Sequence, residues 1–135
     1  MKLIIDSTEI FSFFNRTSKA RQLTLSTKLY LHSPEYSLNE IKEHKTKILE
    51  SFGLSIEQFS LIEKLLMSVI KFEKVESYSL FIPKAKEISP DPDDVDFIAL
   101  ALKMKCPIWS SDKLLKQQKE VRIFSTNELS EFSEV

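Results

Sequence analysis

Asp91-Pro92-Asp93-Asp94-Val95-Asp96-Phe97-Ile98-Ala99-Leu100-Ala101-Leu102-Lys103-Met104 is the most informative stretch of the chain. Asp91 is placed to cap a helix, and Pro92 falls in the first turn, where a missing N–H costs nothing. From Phe97 to Leu102 the residues are apolar on every side, the pattern of a helix buried in a core. Asp91, Asp93, Asp94 and Asp96 crowd its start, where acids favour the helix dipole. Their directions differ, however. Asp96 shares a side with Lys103 and is expected to face water. Asp94 lies in line with Phe97, Ile98 and Ala101, so it continues the apolar side. A carboxylate aimed that way is costly unless a cation or hydrogen-bond donors meet it. Asp94 is therefore a candidate metal ligand.

Strand patterns lie on both sides of this helix. Downstream, residues 107–110 (Pro-Ile-Trp-Ser) read as a strand ending near Asp112, and residues 121–124 (Val-Arg-Ile-Phe) as another. Upstream, residues 2–5 (Lys-Leu-Ile-Ile) form a short apolar run bounded by Asp6, and residues 28–32 read as a second strand. Ile10, Phe11, Phe13 and Phe14 suggest a short helix, followed by a polar segment with Arg16, Lys19 and Arg21. Ser33 is expected to cap a helix with Pro34 in its first turn. That helix should run to Phe52 and stop at Gly53, with Leu38, Ile41, Ile48, Leu49 and Phe52 on one face. Ser55 starts another, whose stripe is Phe59, Ile62, Leu66 and Val69. Residues 78–88 suggest a further short helix. Alternating strands and helices imply an α/β fold: a mostly parallel sheet of about four strands with helices on both faces.

Composition narrows the function. A chain of 135 residues with 42% hydrophobic and 29% charged residues suits one domain with a real core, spanning residues 1–135. The single cysteine, Cys106, excludes an internal disulfide and any zinc spacing, which suits a reducing compartment. Asp6 comes too early for the apolar region of a signal peptide, and no apolar run approaches the ~20 residues of a membrane helix. A cytoplasmic protein without membrane contact is expected. The one glycine rules out a Gly-rich phosphate loop. A net charge of −1 argues against a sequence-independent backbone binder, although Lys103, Lys105, Lys113, Lys116, Lys119 and Arg122 crowd one late segment.

In open α/β sheets, ligands bind beyond the carboxyl ends of the strands. Asp6 and Asp112 fall at such ends. Each alone could simply cap the next helix; both on one edge are harder to dismiss. The helix after Ser33 carries Glu35, Glu40 and Glu43. Glu43 points away from the apolar stripe, while Glu35 and Glu40 lie on opposite flanks, and the pattern does not choose between them. His32 reads as a strand residue and His44 as surface. Carboxylates without thiolates or a histidine cluster match oxygen-preferring ions such as Mg²⁺ or Mn²⁺.

These residues resemble the PIN-domain ribonucleases. Leu3-Ile4-Ile5-Asp6-Ser7 is similar to the opening of that family. Ser33-Pro34-Glu35 with Leu38-Asn39-Glu40-Ile41 resembles its second-acid helix. Asp91 to Leu102 resembles its third-acid motif, and Pro107-Ile108-Trp109-Ser110-Ser111-Asp112-Lys113 its fourth. The similarity covers nearly the whole chain in order. Thr8 is a departure, since the family often has asparagine there. The resemblance implies a PIN-like three-layer sandwich and selects Glu40 over Glu35. It also implies that Asp6, Glu40, Asp94 and Asp112 hold Mg²⁺ or Mn²⁺ and carry out hydrolysis of single-stranded RNA. Ser110 would orient a ligand or phosphate, and Lys113 with its basic neighbour Lys116 would bind substrate backbone. Many members are toxins of toxin–antitoxin pairs, inhibited by a small antitoxin protein and often homodimeric.

The helix after Ser55 supports a homodimer independently, because Leu61, Leu65 and Met67 widen its apolar surface beyond one face. The competing reading is a non-catalytic PIN-like module that binds RNA or a partner protein. A phosphatase of the haloacid-dehalogenase type would want an acid at position 8, which is Thr. A receiver domain would want an acidic pair before its phosphorylated Asp, which the chain lacks.

Overall fold

The computed structural model describes residues 1–132 of the chain. The apolar run Lys2–Ile5 forms β1, which lies at the centre of a parallel sheet. The other strands are β2 (Tyr30–Pro34), β3 (Ile70–Glu73), β4 (Ile108–Trp109) and β5 (Ile123–Phe124). Their order is β3-β2-β1-β4-β5. Leu3 is level with Leu31, Ile5 with Trp109, and Trp109 with Phe124. Successive side chains alternate across the sheet and so build two cores. Leu3, Ile5, Trp109 and Phe124 belong to one, and Ile4, Ile108 and Ile123 to the other.

The first core is closed by helices α1 (Ser7–Phe13), α2 (Lys19–Thr24), α3 (Glu35–Glu43), α4 (Lys45–Phe52), α5 (Ile56–Val69) and α8 (Thr126–Ser130). The second is closed by α6 (Ile82–Ile88) and α7 (Val95–Met104). In α7, Phe97 to Ala101 are all buried, as the run of apolar residues predicts. The result is a three-layer α/β sandwich. The β1-to-β2 connection covers the first face and the β3-to-β4 connection the second. The direction of winding therefore reverses between β1 and β4, which opens a crevice beyond their carboxyl ends.

The structure differs from the sequence reading at several points. Among the described residues the sheet has five strands, one more than the four read from sequence. β3 follows α5 without a break, so the helical apolar period running to Val69 and Ile70 conceals the strand. Ser33 does not cap a helix. It is a buried strand residue whose hydroxyl donates to the Ile5 carbonyl at 2.9 Å and shares a hydrogen bond of 2.8 Å with Ser37. Pro34 occupies the cap position without a side-chain cap bond. The expected long helix breaks into α3 and α4 at His44 (φ −99°, ψ 16°), where no glycine or proline announces a break. Gly53 does end α4, in the left-handed region at φ 62°. The polar segment contains α2, which buries Ala20 and Leu23. Among the described residues, no helix is long and apolar enough to cross a membrane.

Candidate functional site

Asp6 leaves the sheet at the end of β1 and caps α1. Its Oδ1 accepts the Ser7 amide at 2.8 Å, and its Oδ2 accepts the hydroxyls of Thr8 at 3.1 Å and Ser110 at 2.6 Å. The Ser110 hydroxyl also accepts the Asp112 amide at 3.0 Å. One buried hydroxyl therefore ties the ends of β1 and β4 together. Asp112 caps a 3₁₀ turn (Lys113–Gln117), and its Oδ1 accepts the Leu114 amide at 2.9 Å.

Asp94 lies at the start of α7 and is only 6% exposed, on the core side as the helix periodicity predicts. It makes no side-chain cap bond, and its Oδ2 is buried without a hydrogen-bond partner. Glu40 on α3 is half-buried, and its Oε1 is likewise buried and unpartnered. Glu35 and Glu43 are exposed.

These acids act on one another. Burial pushes the Asp94 carboxyl up to about 7, and the charges of Asp112 and Asp6 add to that effect. Burial also raises Glu40, with Asp6 contributing and Ser7 acting in the opposite direction. Asp6 is raised by burial too, opposed by the hydrogen bonds from Ser110, Thr8 and Ser7. Among the described residues, no three His, Cys, Asp or Glu side chains converge closely enough to ligate one ion as they stand. Asp6, Glu40, Asp94 and Asp112 form an open, mutually repelling set.

Other residues singled out by sequence fall elsewhere. Asp96 does not simply face water: its Oδ2 accepts the Tyr78 hydroxyl at 2.5 Å. Asp91 caps locally, accepting the Asp93 amide at 2.9 Å. Lys113 is exposed, whereas Lys116 forms an ion pair with Glu128 at 2.7 Å. Lys113 and Lys116 both line a cleft beside Asp112, and the half-exposed Lys116–Glu128 pair also links the 3₁₀ turn to α8. His32 lies beside Glu73 at 3.4 Å, away from the acids.

Sequence reasoning missed Glu9. It is 2% exposed, and its carboxylate accepts two hydroxyls: Ser111 on Oε1, and Thr126 on Oε2 at 3.0 Å. Thr126 in turn accepts the Trp109 indole N–H at 3.0 Å. This part-buried network holds the loop beside Asp112. The available signal was Glu9 standing three residues after Asp6 and next to Ile10, which places it on a helix face that begins at the site.

The PIN domain family pattern matches residues 4–130 of the sequence. The chain belongs to the PIN-domain family. Its five-stranded parallel sheet and flanking helices have the architecture of that family. PIN domains are generally nucleases and usually use divalent metals. Comparison with curated proteins finds no match. In this PIN domain Thr8 stands where the family often has asparagine, and its hydroxyl still supplies a donor to Asp6. The residues present fit a divalent ion on two grounds. The donors are all oxygens, the preference of Mg²⁺ and Mn²⁺. Glu40 Oε1 and Asp94 Oδ2 are buried carboxylate oxygens without partners, a costly arrangement that a cation relieves.

Proposed function

We propose that this PIN domain hydrolyses phosphodiester bonds of single-stranded RNA, with Mg²⁺ or Mn²⁺ held by Asp6, Glu40, Asp94 and Asp112. The observation that carries the reading is the unpartnered pair of buried oxygens, on Glu40 and Asp94, in an acidic set at the carboxyl edge of a parallel sheet. A bound divalent ion supplies counter-charge and Lewis acidity to water and phosphate. The chain's own residues position these acids. Ser7, Thr8 and Ser110 aim both oxygens of Asp6, while the Ser110 hydroxyl also fixes the Asp112 backbone. Asp94 is held by burial alone. The reaction adds a water oxygen to phosphorus and breaks one ester P–O bond.

Beside Asp112 lies a cleft of about 440 Å³ lined by Ser110, Ser111, Lys113 and Asn127 among others. Hydroxyls, an amide and an exposed lysine suit a phosphate backbone. Lys113 and Lys116 are the cations of this cleft in this reading, Lys116 sharing its charge with Glu128. The choice of RNA rests on the family resemblance. A second copy of the chain pairs through α5 in the same reading. Cleavage of labelled RNA and matching DNA strands, with and without chelator, tests it. RNA cleavage that stops in chelator and returns with Mg²⁺ or Mn²⁺ is expected; full activity in excess chelator overturns the mechanism.

A further inference from the structure

A further cleft lies away from the carboxylates. It has a volume of about 760 Å³ and opens beyond the carboxyl end of α1, where Phe14, Arg16, Arg21, Phe52, Gln58 and Ile62 contribute to its walls. Arg21 is fixed in place. Its Nε donates to the Phe13 carbonyl at 2.6 Å, and its guanidinium carbon lies 5.2 Å from the centroid of the Phe13 ring. Its Nη2 is buried and has no hydrogen-bond partner. Arg21 as a whole is only part-buried, but a buried donor atom left unmet is costly, and native structures rarely leave one without a water, ion or ligand. Arg16 is close enough for its charge to act against that of Arg21. Among the described residues, neither arginine has a carboxylate within ion-pair distance.

The geometry points to a second binding site in this cleft, one that takes a phosphate ester bearing an aromatic group, with a nucleotide as the simplest ligand. The charge of the ligand follows from the arginine pair. A phosphate dianion offsets both guanidinium charges, and its oxygens match their planar forks bidentately. A lone carboxylate would neutralise only one. The aromatic part follows from the walls. Phe52 is 37% exposed and Ile62 is half-buried, so the cleft offers apolar surface on which a base can lie. The site is separate from the acidic set. The seven residues of α1 stand between Asp6 and Phe14, roughly 10 Å of helix. The proposal therefore stands whether or not the acids cleave RNA.

Calorimetric titration of the full chain in chelator tests it. The probes are adenosine monophosphate, inorganic phosphate and an acidic peptide, and the proteins are wild type, Arg16→Ala, Arg21→Lys and Asp94→Asn. The expected result is saturable binding of the nucleotide, at least tenfold tighter than inorganic phosphate. Arg16→Ala and Arg21→Lys should each weaken it at least tenfold, and Asp94→Asn should leave it unchanged. The Arg16 side chain is exposed, so its variant remains informative if Arg21→Lys fails to fold. Displacement of the nucleotide by a 5′-phosphorylated oligoribonucleotide would assign the strand terminus as the phosphate source; retention would assign the free nucleotide. No saturation at millimolar nucleotide, or wild-type affinity in Arg16→Ala, overturns the proposal. So does tighter binding of the acidic peptide, which would give the cleft to a protein partner.

Discussion

Ser110 and Asp6 are 104 residues apart in sequence, yet the Ser110 hydroxyl donates to Asp6 Oδ2 at 2.6 Å. This bond locks the end of β4 to the end of β1 and helps keep Asp6 ionised against its burial. Ser110→Ala should raise the Asp6 carboxyl further and release the Asp112 amide. The expected cost is about 1–2 kcal/mol of stability, since a buried carboxylate loses a donor. Cleavage should fall more than RNA binding does. Denaturant titration together with single-turnover kinetics checks both. Wild-type kinetics in the variant would show that the hydroxyl is structural only.

Asp94 links pH to stability. Its carboxyl is raised from 3.8 to about 7 in the folded chain. The folded state is then the better proton binder, so this contribution is fully present below about pH 4 and is lost as pH rises through 7. Glu40 and Asp6, also raised, act in the same direction. Without metal, Asp94→Asn should melt higher than wild type at pH 8, with the difference vanishing at acid pH. Because Asp94 makes no side-chain cap bond, the substitution loses none. Mg²⁺ should raise the wild-type melting temperature more than that of the variant. Melting curves from pH 4 to 8 decide the matter, and a variant that melts lower at pH 8 counts against this account.

Glu9 is the keystone of the network beneath the Asp112 loop. Glu9→Ala would leave the part-buried Thr126 hydroxyl without its acceptor and the exposed Ser111 hydroxyl to water, at a cost of about 1–2 kcal/mol. Glu9→Gln keeps the shape and should cost less. Trp109 is the only tryptophan and bonds to Thr126. Its fluorescence should therefore shift in both variants and report unfolding directly.

Lys113 and Lys116 should behave differently. Lys113→Ala should weaken binding of single-stranded RNA and lower its salt slope by about 0.7, the loss of one phosphate contact. Lys116→Ala should change the slope less, since Lys116 is paired with Glu128. Anisotropy titrations at several salt concentrations, in chelator to prevent cleavage, separate the two. Equal slopes in both variants would remove the distinction.

The dimer expectation rests on α5, where Leu61 is 67% and Met67 55% exposed while Phe59 and Leu66 are buried. Leu65→Glu combined with Met67→Glu should convert a dimer to a folded monomer. Light scattering at micromolar concentration reads this out, and a wild-type protein that is already monomeric sinks the expectation.

Local pattern carried a large part of this protein. The class of fold followed from apolar runs alternating with helical stripes. The buried position of Asp94 followed from its alignment with Phe97, Ile98 and Ala101, because a helix repeats its faces every 3.6 residues. Asp6 and Asp112 were visible as acids ending apolar runs. Other features have no local signature. Glu35 and Glu40 flank the same stripe, and only the packing of α3 leaves Glu35 exposed while burying Glu40 Oε1. β3 is hidden because the helical apolar period of α5 runs into it without a break, and only its pairing with β2 makes it a strand. Ser33 read as a cap because the same hydroxyl can serve a helix end or a neighbouring strand, and the Ile5 carbonyl decided between them. The Glu9 network joins residues more than a hundred positions apart, and the arginine cleft forms between the segment joining α1 to α2 and the turn joining α4 to α5. Sequence determines periodicity, and with it which side of an element is buried. Tertiary structure alone decides which buried groups meet, because hydrogen bonds and charge interactions depend on distances that only the folded chain sets.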